Sequence, residues 1–217
     1  WGFTQFFYSR RVGRGPQGAV EVDDVAFDDV PEAATILGAA KVSGKTGPWS
    51  VGVLDALTQR ETGRYLTTTD QRGEYAVEPL TNYFVGRVRR DFNRGATVVG
   101  AIGSAVNRDM SGDEFDPYLR SSAYVAGIDG QHSWHNREWA VSGYYARSLV
   151  NGSADAILAT QNSSARYFGR PDASHVGVDE ERTSLDGHVA GAAIRHEGKW
   201  DASLAWEESS PGFETND

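Results

Sequence analysis

Trp200-Asp201-Ala202-Ser203-Leu204-Ala205-Trp206-Glu207 carries the pattern that decides the fold. Trp200, Ala202, Leu204 and Trp206 alternate with Asp201, Ser203, Ala205 and Glu207, a period of two that gives an extended strand one apolar and one polar face. The same period runs through 139–149. There Trp139, Val141, Gly143, Tyr145 and Leu149 share one face, and Ala140, Ser142, Tyr144, Ala146 and Ser148 the other. Around 80–92, Leu80, Phe84, Val88 and Phe92 oppose Tyr83, Arg87, Arg89 and Asp91. Further stretches near 3–10, 36–44, 49–59, 96–106, 120–131 and 184–196 bring the expectation to about nine strands, many longer than the usual ~5–6 residues.

Composition narrows the class. The 217 residues include 30 acidic and 21 basic side chains, a net charge of −9, so no basic excess exists to displace counterions from a nucleic acid, and none is expected as a partner. Twenty-five glycines and only seven prolines, with no period of three, exclude collagen and low-complexity disorder. Cysteine is absent, which removes disulfides and thiolate metal sites. No apolar run approaches the ~20 residues of a membrane-spanning helix. The sequence opens on Trp1 rather than Met and closes at Asp217 within a pattern, so a longer parent chain is expected.

Short glycine-bearing links, Gly44 to Pro48, Asn93 to Gly95 and Glu197 to Lys199, together with His132 to Asn136, are of hairpin size and make the strands antiparallel neighbours. Longer polar loops are expected near 11–35, 60–77, 107–118 and 151–182, one of them holding a helix from Ala154 to Ala165 capped by Ser153. The fold class is therefore all-β, an antiparallel meander of long hairpins. Long alternating strands, short turns at one end and long loops at the other fit part of an outer-membrane-type β-barrel, because lipid offers the backbone no hydrogen-bond partner. Trp49, Trp139, Tyr145, Trp200 and Trp206 suit its aromatic girdles. A soluble sandwich or barrel has the same period. Strand length favours the membrane; Asp55, on the face of Trp49, Val51, Val53 and Leu57, opposes it unless that face is the lumen.

Six ordered stretches carry a resemblance: Phe6 to Arg14, Leu37 to Gly47, Glu78 to Tyr83, Val106 to Asp109, Arg166 to Asp172 and Ser210 to Phe213. Together they resemble the C-terminal region of bacterial proteins assigned to domain of unknown function 5916. In that family the region follows a carbohydrate-binding module of the family 9 type behind a signal peptide and is regarded as an outer-membrane β-barrel. The resemblance spans essentially the whole chain. It implies that residues 1–217 form a partial barrel domain, and it brings no catalytic residues with it.

Four constellations could carry chemistry. Asn107 to Asp116 gathers oxygen ligands, Asp109, Asp113 and Asp116 among them, around Gly112 in the manner of a calcium loop. The match is partial, because Asn107 takes the first position and Tyr118 stands where a bidentate Glu belongs; an acidic surface loop is the simpler reading, and no other cofactor is expected. Asp129, His132 and His135 could hold zinc with an open position, but only if a tight turn folds opposite strand faces together. The carboxylates of Asp179-Glu180-Glu181 and Glu207-Glu208 invite a glycosidase reading, although adjacent strand residues face oppositely. No G-x-S-x-G elbow or phosphate-binding loop is present. Tyr83, Arg87, Arg89 and Asp91 would line a barrel lumen, either setting solute preference or forming an ion-pair ladder. The segment Glu21, Asp23, Asp24, Asp28, Asp29 and Glu32 reads as a solvated acidic loop.

The functional expectation is a bacterial outer-membrane barrel segment in contact with lipid, with glycans as a second candidate partner, serving transport, conduction or surface anchoring linked to glycan handling rather than catalysis. Its rival is a soluble all-β carbohydrate-active enzyme or glycan-binding domain.

Overall fold

The computed structural model describes residues 11–18, 22–163, 168–169 and 176–215. The strand expected near 3–10 lies outside them, as do the side chain of Asp113 and the residue Glu21. Eleven strands and one α-helix are described. Eight strands form one antiparallel sheet: β2 (Ile36–Thr46), β3 (Trp49–Thr58), β6 (Thr81–Phe92), β7 (Thr97–Arg108), β8 (Arg120–Trp134), β9 (Trp139–Gly152), β10 (Ser184–Glu197) and β11 (Asp201–Ser209). They pair in that order, so each hairpin of the chain is a neighbouring pair in space. Among the described residues the sheet is not closed, and β2 and β11 are its two edges.

The expected loops at 11–35 and 60–77 are not all loop. β1 (Val25–Asp29), β4 (Glu61–Thr67) and β5 (Arg72–Glu78) make a separate three-stranded sheet in the order β1-β4-β5. In β4, Glu61-Thr62-Gly63-Arg64 has no apolar face, and in β1 and β5 the alternation is confined to Val25 and Phe27 and to Tyr75 and Val77, too short to betray a strand as the longer patterns do. Asp28 and Asp29 of the acidic segment thus sit in a strand. Burial, and then the nearby charges of Asp28 and Asp29, push the Tyr75 phenol above its usual range.

All four short links lie at one end of the large sheet. The third runs from His135 to Glu138 rather than from His132, because β8 continues to Trp134. Relative to the row of partners Trp49, Arg90, Val99, Gly130, Gly143, Ala192 and Trp206, successive hairpins reach further. The β3 end lies at Trp49, β6 ends two residues past Arg90, β8 four past Gly130 and β10 five past Ala192. That progressive stagger is the shear of a tilted sheet.

One face of the sheet is covered at the long-link end. Tyr83, Val106, Ala123 and Val150 pack beneath Ile157 of α1 (Ala154–Asn162), with Val12 of the N-terminal segment against them. Ser153 caps α1 as expected, accepting from the Ala156 N–H at 3.1 Å, and the helix stops at Asn162, where Ser163 is extended. Beside it a C-terminal strap, 210–215, crosses β10. Ser210 N–H donates to His188 O at 2.8 Å, Glu214 N–H donates to Ser148 Oγ at 2.9 Å, and Phe213 seats among Val125, Ala146 and Val189. The crossing requires glycine at 187: a Cβ there would overlap the backbone of Gly212 and Phe213. Arg11 then donates to Thr215 O at 2.8 Å, tying the N-terminal segment to the strap.

Phe213 is 5% exposed, so Phe213→Ala should lower unfolding free energy by about 3 kcal/mol. Gly187→Val should cost at least as much by lifting the strap. Denaturant unfolding that leaves both variants as stable as the parent would remove the strap from the core.

Candidate functional site

In β8 the covered face takes Ala123, Val125, Gly127, Asp129 and Gln131, and the open face Tyr124, Ala126, Ile128, Gly130 and His132. The partner registers carry this facing through all eight strands, although on the edge strands β2 and β11 both faces are exposed. The open face is therefore an apolar surface in the open. Val42 and Leu204 are 73% exposed and Ile128 63%, with Val51, Val53, Val99, Val141, Ile194 and Trp206 exposed around them. Trp49, Trp139, Tyr145 and Trp206, expected to form girdles at the edges of such a face, lie on it, but Tyr145 stands in the row of Ile128 rather than at a margin.

This surface has two margins. At the short-turn end, aromatic rings run edge to edge across three strands. His132 stacks on Trp134 at 5.8 Å, Trp134 on Trp139 at 6.0 Å, and His196 lies between Trp139 (4.5 Å) and Trp200 (3.9 Å). Arg90 lays its guanidinium over the rings of Trp49 and Phe92 at 5.0 and 4.5 Å, and on β11 Glu208, in the row of Ile128 and Tyr145, stands 3.4 Å from His188 on the same face. At the other margin polar groups meet in pairs: Asn82 donates to Asp55 at 3.3 Å, Tyr124 to Asn107 at 2.6 Å, and Arg147 to Asp186 at 2.7 Å. Asp55 thus belongs to the margin of the open face and not to the covered one.

The covered face changes character toward the short turns. One row of partners crosses all eight strands there: Lys45, Ser50, Arg89, Gly100, Asp129, Tyr144, Gly191 and Glu207. Its cations lie toward β2 and its carboxylates toward β11. Arg87 reaches across β7 to Asp129; a Cβ at Gly100 would stand 2.8 Å from both groups, so glycine leaves the channel for this bridge. Lys45 pairs with Asp91 at 3.1 Å, and the Tyr144 hydroxyl donates to Glu207.

Of the four residues expected to line a lumen, Arg87, Arg89 and Asp91 lie on this polar part of the covered face, while Tyr83, 2% exposed, is inside the apolar cluster. Their partners Lys45 and Asp129 escaped sequence reading, because only the strand register says which residues face each other. The presumptive zinc residues are not gathered. Asp129 points to the covered face and bonds Arg87, whereas His132 is on the open face, its Nδ1 2.8 Å from Thr97 Oγ1, and His135 sits in the turn. The alternation of the strand separates them, and no metal-binding group of three occurs among the described residues. In the acidic loop, Arg60 donates to Ser111 O at 2.7 Å and to Glu114 at 3.3 Å, so a guanidinium already binds the loop. Asp109 accepts from the Ser111 hydroxyl and N–H, and Asp116 contributes its backbone carbonyl to Ser153. Glu207 and Glu208 face oppositely, and Asp179 pairs with Arg182 at 3.6 Å; neither set forms a facing carboxylate pair.

The hydrogen bonds from the Ser111 hydroxyl and then its N–H, helped by Arg60, hold the Asp109 carboxyl below its usual range against desolvation.

Among known proteins, the family model described as Domain of unknown function (DUF5916) matches residues 3–217. No curated protein and no solved structure matches the chain.

Two measurements follow from this geometry. Because the folded value of Asp109 is lowered, its contribution to loop stability is present above the ordinary carboxylate range and is lost as pH falls through the folded value. Ser111→Ala should raise the Asp109 midpoint toward that range in a carboxyl NMR titration. A double-mutant cycle of Arg87→Gln and Asp129→Asn should give a coupling of about 1 kcal/mol, since the pair is partly exposed; no coupling would mean the bridge does not staple β6 to β8.

Proposed function

The chain belongs to the DUF5916 family, and we propose that its large sheet is a segment of a bacterial outer-membrane β-barrel, with the open face toward lipid and the covered face toward a plugged interior. The observation that carries the reading is the exposed apolar band. An aqueous monomer rarely leaves more than a few hundred Å² of contiguous apolar surface in water, and here the band extends across eight strands. Uncharged open-face runs such as Gly38 to Thr46 and Tyr124 to Trp134 span ~30–36 Å of strand at ~3.3 Å per residue, which strand tilt reduces toward the ~25 Å of an outer-membrane apolar belt. Aromatic rings at one margin and paired polar groups at the other suit the two interfaces. The stagger of the hairpins is the kind a tilted barrel wall needs, and the edges β2 and β11, beside which no further described strand pairs, are where further strands would complete the wall, since lipid tolerates no open edge.

On this reading α1, the N-terminal segment and the strap fill the interior at the long-link end. The role is transport, conduction or surface anchoring, linked to glycan handling. No helix among the described residues is long and apolar enough to cross a membrane.

The protein should fractionate with outer membranes and, in phosphatidylcholine vesicles with acyl-brominated lipid, show quenched tryptophan fluorescence. Ile128→Arg, in mid-band, should destabilise the inserted state by about 2–4 kcal/mol. Recovery of a detergent-free soluble monomer that binds oligosaccharide, with unquenched tryptophans, would replace the membrane reading by that of a glycan-binding domain.

A further inference from the structure

Seven arginines lie on the large sheet, and six have a partner. Arg87 pairs with Asp129, Arg147 with Asp186 and Arg195 with Glu197. Arg90 covers two aromatic rings, Arg108 donates to Arg120 O at 2.8 Å, and Arg120 donates to Thr160 Oγ1 at 3.2 Å. Arg89 alone is exposed with no hydrogen-bond or ion-pair partner among the described residues. Its situation is built rather than accidental. The two carboxylates nearest in the ladder are both engaged, Asp91 by Lys45 and Asp129 by Arg87. Around Arg89 there are therefore three cations, Lys45, Arg87 and Arg89, and two carboxylates, a local charge of 3 − 2 = +1, within a chain whose net charge is −9. Its two row neighbours are Ser50, which offers a hydroxyl, and Gly100, which offers no side chain. Row neighbours stand ~4.8 Å apart, close enough for the Ser50 hydroxyl and the Arg89 guanidinium to hold one ligand group.

We propose that Arg89, with Ser50 and Lys45 beside it, is a binding subsite for the oxyanion of a small solute, a carboxylate or a phosphate. The planar guanidinium presents paired N–H donors that match two oxygens of either group, Ser50 supplies a further donor, and Lys45, held in the same row by Asp91, adds charge. Glu207 and Asp129, further along the row toward β11, repel an anion there and favour an amine or hydroxyl, so the row orients a solute with its anionic end at β6. The subsite stands on the covered face whether or not the open face meets lipid.

Full-length protein in a non-ionic detergent, labelled with ¹⁵N-arginine, would be titrated separately with inorganic phosphate, galacturonate and galactose while the Arg89 Nε resonance is followed. Phosphate or galacturonate, or both, should shift it saturably, and which one does so tells a phosphorylated solute from an acidic sugar. Arg89→Gln should weaken that binding about tenfold or more, Arg89→Lys should restore part of it, and Asp91→Asn, by freeing Lys45, should tighten it. Arg89 is exposed, so its variants should keep the parent's circular dichroism spectrum. The proposal is overturned if neither anion binds, if Arg89→Gln binds as well as the parent, or if neutral galactose competes equally. Membrane fractionation is unaffected by any of these results, so this test and that of the barrel reading fail separately.

Discussion

Register is the constraint on which the rest of this molecule depends. Seven consecutive antiparallel ladders join β2 to β11, and side chains alternate faces at every residue. A slip of one residue in any ladder would exchange the faces of all strands beyond it. It would place Asp129 and Glu207 in the apolar band and Ile128 and Trp206 among the ion pairs. The bridges from Arg87 over Gly100 to Asp129, from Lys45 to Asp91 and from Tyr144 to Glu207 each depend on a single register across three strands, and each makes the alternative costly. The bulges at the ends of β2 and β8 fall where the strands meet the long links, leaving the ladders beyond them unbroken.

The covered face shows how little conventional core such a sheet needs. Its buried apolar side chains are mostly small, Ala123, Val125, Ala146, Val150 and Val189, with Tyr83 and Leu185 the larger ones. The larger volume arrives from outside the sheet, through Ile157 on α1, Phe213 on the strap and Val12 in the N-terminal segment. Polar groups at this end are satisfied by backbone: buried Gln161 donates to Asp179 O at 2.8 Å and accepts from its N–H at 2.9 Å, and Glu78 accepts from Gln17 N–H at 3.0 Å. A buried polar side chain paired in this way costs little and holds two distant segments in place.

Legibility in the sequence followed the hydrophobic pattern. Where one face of a strand is apolar, as at 139–149 and 200–207, strand and facing could be read directly. β1, β4 and β5 do not read as strands, because they are only five to seven residues long, both faces of β4 carry polar groups, and the alternation of Val25 with Phe27 and of Tyr75 with Val77 is too short to stand out. Arg87, Arg89 and Asp91 could be placed on a polar face, but not matched with Asp129 or Lys45. Those partners lie 42 and 46 residues away, and sequence distance carries no information about register. The suspected zinc group failed for a reason already present in its spacing, since three residues along a strand is an odd step.

By itself, then, the sequence determined that this chain is all-β, that its hairpins follow one another as neighbours, and which side chains share a face, because those properties need only a period of two and short turns. The tertiary structure alone decided that one face stands open while the other is covered at its long-link end, that the C-terminal segment folds back over Gly187, and that Arg89 has no partner among the described residues. Each of these depends on which strands lie side by side and at what offset, and that is settled by contacts between residues far apart in the chain.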